Sequence, residues 1–178
     1  MWRGASVVAV FAALVWSVGC GSGARQVDTV RAIALRPVTF EQWQRELGLL
    51  RGKIVVADLW ATWCEPCIER FPHMVQLYHQ YRDRGVTFVS MSVDDREDKQ
   101  ALDTARKFLH KWDATFANYL MDENIGESFE KLDIEGVPDV FVYDAAGRRR
   151  YLLNGNDPTR QFTEKDVDDA VATLVGGR

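Results

Sequence analysis

Two cysteines three positions apart, in Trp63-Cys64-Glu65-Pro66-Cys67, follow directly on the apolar run of residues 53–60. Thiols at that spacing, just past a buried strand and at the opening of a helix, are placed for reversible disulfide chemistry. The first turn of a helix offers unpaired N–H groups and roughly half a positive charge. Cys64 stands at that opening, which favours its thiolate, the nucleophile of thiol–disulfide exchange. Cys67 lies one turn further in, near enough to close a disulfide and better shielded. Pro66 falls in the first turn, where its missing N–H is harmless. Glu65 sets a carboxylate beside the reactive sulfur and partly opposes the helix end, which tunes the pair's potential.

Other chemistries for the pair fit less well. A structural disulfide gains little from so short a loop. Structural zinc wants four ligands; no second cysteine pair exists and His73, His79 and His110 are scattered, so no metal is expected. Ile68 stands where covalent haem would need a histidine. Asp58 is an acid in an otherwise apolar strand and has two readings. Buried without a partner, it has a raised pKa, accepts the proton of Cys67, and destabilises the fold that Asn would relieve. Alternatively it reaches the sheet end and stays solvated. Trp60 and Trp63 pack near the dithiol, with Trp63 also a candidate substrate contact. The acidic run 94–98 reads as a solvated loop that caps the next helix.

Asp58-Leu59-Trp60-Ala61-Thr62-Trp63-Cys64-Glu65-Pro66-Cys67 resembles the thioredoxin active-site segment. With Phe71-Pro72 following, it is most similar to the extracytoplasmic TlpA/ResA-like branch. A second likeness lies at residues 136–147, beginning Gly136-Val137-Pro138-Asp139, and a third at the strand-like residues 85–94. The resemblance implies that Val137–Pro138 is cis, faces the dithiol and holds the substrate backbone. A proline opening an apolar strand after Gly136 agrees with a cis bond. The family usually has Thr after this proline; here it is Asp139, which bears on the shape and charge of the substrate groove.

The elements that must position these residues follow from periodicity and turn signals. The chain of 178 residues suits one domain, and its net charge of −4 argues against a nucleic-acid partner. A short strand is expected at 30–35. Thr39 and Gln42 give a capping-box start to a helix with Phe40, Trp43, Leu47 and Leu50 on one stripe, ended by Arg51-Gly52. Strands follow at 53–60 and 86–93, with a helix at 66–84 between them that Pro72 should kink. A helix at 98–112, a strand at 117–121 and a helix at 123–132 lead to an antiparallel pair at 138–143 and 150–153. A helix at 163–175 closes the chain. The basic cluster Arg148-Arg149-Arg150 reads as a solvated hairpin tip. The fold class expected is α/β: a thioredoxin fold, a central mixed β-sheet flanked by helices, with an N-terminal strand and helix extension.

Residues 1–20 read as a signal peptide. Arg3 precedes an apolar stretch at 7–18, too short for a comfortable membrane span. Ser17-Val18-Gly19-Cys20 resembles a lipoprotein cleavage site with lipidation at Cys20. Cleavage after Ser22-Gly23-Ala24, or an uncleaved anchor, are the alternatives, and all three export the domain. Residues 21–29 suit a tether, leaving 30–178 as the thioredoxin-like domain.

Together these readings give an exported, periplasmic thiol–disulfide oxidoreductase, lipid-anchored to a membrane and monomeric. It needs no cofactor beyond the Cys64–Cys67 pair, and exchanges electrons with disulfide-containing substrate proteins. The resemblance implies re-reduction by a membrane thiol-transfer protein. Two alternatives are a thiol peroxidase of the same superfamily and a redox-inactive binding or assembly domain. The peroxidase needs Thr three residues before the reactive cysteine, whereas Thr62 lies two before Cys64.

Overall fold

Hydrophobic strands at the centre of the chain set the architecture. In the computed structural model, which describes Met1 and residues 33–177, Ile54–Trp60 (β2) is buried at every position. It is flanked by Val86–Ser92 (β3) in parallel and Asp139–Tyr143 (β5) in antiparallel. Continuous burial of a mid-sheet strand agrees with helices on both faces. Ala117–Met121 (β4) pairs in parallel with β3, and Arg149–Asn154 (β6) pairs antiparallel with β5 through a register shift at Val142/Tyr143.

Among the described residues the sheet has six strands, with Leu35–Val38 (β1) and β6 at its edges, in the order β1-β4-β3-β2-β5-β6. The expected strand at 30–35 is displaced: the strand forms at Leu35–Val38, parallel to β4, and residues 30–32 lie outside the described residues. Pro37 is tolerated because β1 pairs on one side only. Leu35 and Val38 turn inward, while Arg36 stacks over Tyr119 and pairs with Glu46.

Five α-helices surround the sheet among the described residues. Phe40–Leu49 (α1) starts with the expected capping box: Thr39 accepts from the Gln42 N–H and Gln42 accepts from the Thr39 N–H. Glu65–Tyr81 (α2) contains Pro72 and ends in a 3-10 turn, Arg82–Arg84, before Gly85 in the left-handed region. Lys99–Lys111 (α3) is capped by Asp98, Ile125–Leu132 (α4) by Asn124, and Glu164–Gly176 (α5) opens at Thr163.

Alternate residues of β2 share a face, which puts Val56, Asp58 and Trp60 under α2. Trp60 packs at 5.4 Å on Phe71 of α2 and at 5.2 Å on Phe108 of α3. Helix α5 packs against α2 and against β2, β5 and β6. His73 of α2 fastens it, 2.8 Å from Asp168 and 3.7 Å from Glu164, and Phe162 just before the helix lies under the Arg70 guanidinium at 4.5 Å. The basic tip at 148–150 is solvated as expected, with Asp144 accepting from Arg148 and Arg150. None of the described helices is long and apolar enough to cross a membrane; the signal-peptide and Cys20 readings lie outside the described residues.

Candidate active site

Parallel strands end together, so the loops leaving β2 and β3 meet at one end of the sheet. The loop at 61–64 leaves β2 and delivers Cys64 to the N-cap of α2, where its sulfur accepts from the Cys67 N–H at 3.3 Å. Cys64 and Cys67 form a disulfide, and both are buried. Glu65 and Pro66 open the helix and are exposed, as is Trp63, with 55% of its surface free, whereas Trp60 is wholly buried. The two tryptophans therefore divide between core and surface.

The loop itself is tied down by Asp94. Its carboxylate accepts from the Thr62 N–H at 2.9 Å, from the Thr62 hydroxyl at 2.6 Å and from the Ser92 hydroxyl at 2.8 Å. Asp94 is 2% exposed. The reading of 94–98 as a solvated loop is thus corrected at its first residue, because β3 ends one step earlier and turns Asp94 inward to the N–H groups of the neighbouring loop. The capping role holds for Asp98.

Asp58 is buried at 2% exposure, and it has a partner. Arg70 donates from Nη2 to Asp58 Oδ1 at 2.7 Å. The expectation of an unpaired acid is corrected: Arg70 lies three residues beyond Cys67 on α2, on the same helical face, and reaches down to β2. Burial still raises the Asp58 carboxyl above the ordinary range, with Arg70 opposing. Asp58 Oδ2 and Arg70 Nε have no hydrogen-bond partner among the described residues.

Val137–Pro138 is cis, and both residues are buried. Asp139 pairs with Leu59 across the sheet, so Pro138 stands level with Trp60, where β2 gives way to the cysteine loop. Gly155 backs the proline. Its N–H donates to Pro138 O at 2.8 Å and to Asp139 Oδ1 at 3.1 Å. A Cβ at 155 would come within 2.4 Å of Pro138 O and 2.6 Å of Pro138 Cγ, so only glycine fits without a shift. Asp139 is fully buried and its carboxyl is pushed up to about 6 by burial, with Glu135 adding and Gly155 and Arg70 opposing.

The structure brings Cys64, Cys67, Asp58, Val137 and Pro138 to one end of the sheet. Arg70, Asp94 and Gly155 complete the constellation and were not singled out by sequence. Asp94 carried a signal, an acid at the end of the strand beside the one feeding the cysteine loop. Arg70 carried a weaker one, a cation at helical spacing from Cys67. Gly155 carried none.

The pattern of the AhpC/TSA family matches residues 32–151. The chain is 31% identical over 110 residues to the thiol-disulfide oxidoreductase ResA of Oceanobacillus iheyensis, covering 62% of this chain and 54% of that protein. It is 30% identical over 132 residues to ResA of Bacillus subtilis, covering 74% and 67%. The chain thus spans about half the length of the Oceanobacillus relative. Among solved structures, a putative thiol:disulfide interchange protein DsbE from Chlorobium tepidum superposes with a TM-score of 0.59 at 25% identity, covering 73% of this chain and 85% of that one. A thioredoxin-like protein in the oxidised form reaches 0.61 at 20% identity, covering 79% and 85%, and speaks to the fold.

Proposed function

The chain belongs to the AhpC/TSA family within the thioredoxin superfamily, and from that premise we propose that it is a thiol–disulfide oxidoreductase acting on disulfides of substrate proteins. The observation that carries the reading is Cys64 capping α2 in a disulfide with Cys67, at the sheet end that also holds Pro138.

In the reductive direction, the Cys64 thiolate attacks one sulfur of a substrate disulfide. A Cys64–substrate bond forms as the substrate bond breaks, and the released sulfur takes a proton from solvent. Cys67 gives its proton to Asp58, attacks the Cys64 sulfur and expels the second substrate sulfur. Two electrons pass to the substrate, leaving Cys64–Cys67 oxidised. The raised Asp58 carboxyl suits it as proton acceptor. Val137, Pro138 and exposed Trp63 form the docking platform, and Glu65 with Pro66 tunes the pair.

No cofactor is required in this scheme, and a membrane thiol-transfer donor re-reduces the pair. We assign residues 1–20 to a lipoprotein-type signal with lipidation at Cys20, 21–29 to a tether and 30–178 to the domain, which puts a monomer outside the cytoplasm on a membrane. These assignments rest on the charge, apolar length and small residues of the N-terminal sequence.

The peroxidase alternative is disfavoured, since the Thr62 hydroxyl is committed to Asp94. Reduction of insulin disulfides with dithiothreitol, run beside peroxide consumption, separates the readings. Insulin reduction lost in Cys64→Ser supports the proposal. Peroxide consumption without insulin reduction would replace it by a peroxidase, and neither activity by a binding domain. Trapping mixed disulfides with Cys67→Ala identifies the substrates.

A further inference from the structure

The residue after the cis proline is a fully buried acid for which the exchange scheme has no use. Its position is specific. Asp139 Oδ1 and Pro138 O share one donor, the N–H of Gly155, at 3.1 and 2.8 Å. Gly155 in turn packs so closely on Pro138 that no side chain fits there. The platform is therefore clamped from behind by the end of β6, and the Asp139 carboxyl is one of two groups holding the clamp. Asp139 Oδ2 has no hydrogen-bond partner among the described residues.

We propose that Asp139 is a positioning residue that makes docking on the Pro138 platform depend on pH: as a carboxylate it holds Gly155 firmly against the proline, and once protonated it loosens that hold. The proposal rests on the oxidoreductase reading and deepens it.

A hydrogen bond to an ionised acceptor is roughly twice as strong as one to a neutral group. Linkage gives the same sign, because the Gly155 N–H acts to lower the Asp139 pKa, so ionisation must strengthen that bond. The value of about 6 brings the change into a range where a protein outside the cytoplasm can meet it. The charged groups around Asp139 are Arg70 from α2, Arg149 from β6 and Glu135 from the loop before β5. Glu130 and Asp133 from the end of α4 line the same cavity, Asp133 being paired with Arg149 at 3.3 Å. Arg70 also holds Asp58, so the carboxyl behind the platform and the carboxyl beneath the dithiol share one cation.

The test uses the full chain, reduced beforehand and mixed rapidly with a fluorescence-quenched peptide disulfide from pH 5 to pH 8. Dithiodipyridine, which needs no platform, is the reference for the Cys64 thiolate. In the wild type the half-saturating peptide concentration should rise about fivefold on acidification through pH 6, while the maximal rate follows the dithiodipyridine rate. Asp139→Asn keeps an acceptor but cannot titrate, and should hold half-saturation constant within about twofold. Asp139→Ala should weaken docking at every pH. A wild-type half-saturation independent of pH, or the same inflection retained in Asp139→Asn, would overturn the proposal while leaving the oxidoreductase reading intact. No reaction of the peptide disulfide at any pH would overturn both.

Discussion

Arg70 and Asp58, twelve residues apart on α2 and β2, meet at 2.7 Å with both side chains buried. This contact decides which change in the pair should cost stability. Removing one member of a buried ion pair leaves the other charge uncompensated. Arg70→Leu, which strands the buried Asp58 carboxylate, should therefore lower stability by about 3–5 kcal/mol at pH 7 in urea unfolding, whereas Asp58→Asn should stabilise at that pH, because burial holds the Asp58 carboxyl above its ordinary range even beside Arg70. Asp58→Asn with Arg70→Leu should lose less than Arg70→Leu alone. In exchange assays Asp58→Asn should slow release of the mixed disulfide and spare the first attack.

Cys64 should be the nucleophile of the pair. In the disulfide form its sulfur stands at the N-cap of α2, while Cys67 is at the third helical residue and 1% exposed. Iodoacetamide should alkylate Cys64 first, with an apparent pKa below the value of about 8.5 for a free thiol. Faster modification of Cys67 would exchange the two roles.

Asp94 holds the loop that presents Cys64. Asp94→Ala would strand the Thr62 N–H and hydroxyl together with the Ser92 hydroxyl, and should cost about 2–4 kcal/mol. Denaturant titration checks the loss. Exchange should slow even under conditions where the variant is fully folded, because the loop no longer fixes the sulfur's position.

Asp139 gives stability a pH dependence of unusual sign. Its folded pKa, about 6, lies above the ordinary 3.8, so the native state binds the proton more tightly than the unfolded chain. Stability is then greatest below about pH 4 as far as this group is concerned, and falls as pH rises through about 6. The loss amounts to at most about 3 kcal/mol. Asp139→Asn should melt at a higher temperature than the wild type at pH 7, with the gain vanishing toward pH 4. An equal gain at both pH values would count against the raised carboxyl.

Gly155→Ala should disturb the platform without touching the thiols. The added methyl meets the Pro138 carbonyl and ring, an overpacking that costs about 1–3 kcal/mol. Peptide disulfide reduction should fall at least tenfold, by about the same energy, while dithiodipyridine reacts at the wild-type rate. Equal losses on the two disulfides would mean that the dithiol itself had moved.

The sequence made the dithiol, its helix and the three central strands legible, because each is announced locally: Cys64 and Cys67 by spacing, β2 and β3 by largely apolar runs, α1 by its capping box. What it hid are relations between distant residues. Arg70 looked like one more charge on a helix until the sheet placed Asp58 beneath it. Asp94 belonged by composition to an acidic loop, yet the length of β3 turns it into the interior. Leu35–Val38 lies a few residues beyond the strand expected at 30–35, because its place is set by pairing with β4 at the sheet edge, where Pro37 is tolerated. The order β1-β4-β3-β2-β5-β6 decides these outcomes, and no local window contains it.

The fastening of α5 to α2 has a consequence for how the protein is made. His73 and Asp168 are separated by 95 residues, and Phe162, which covers Arg70, is also late in the chain. Both cysteines therefore leave the ribosome long before the helix that completes their surroundings. A chain lacking α5 would keep both cysteines but lose His73–Asp168, one of the contacts that fasten α2. A chain truncated just short of α5 should therefore let alkylating agents reach the reduced cysteines faster than the full chain does, which measures how much of their shelter α5 supplies.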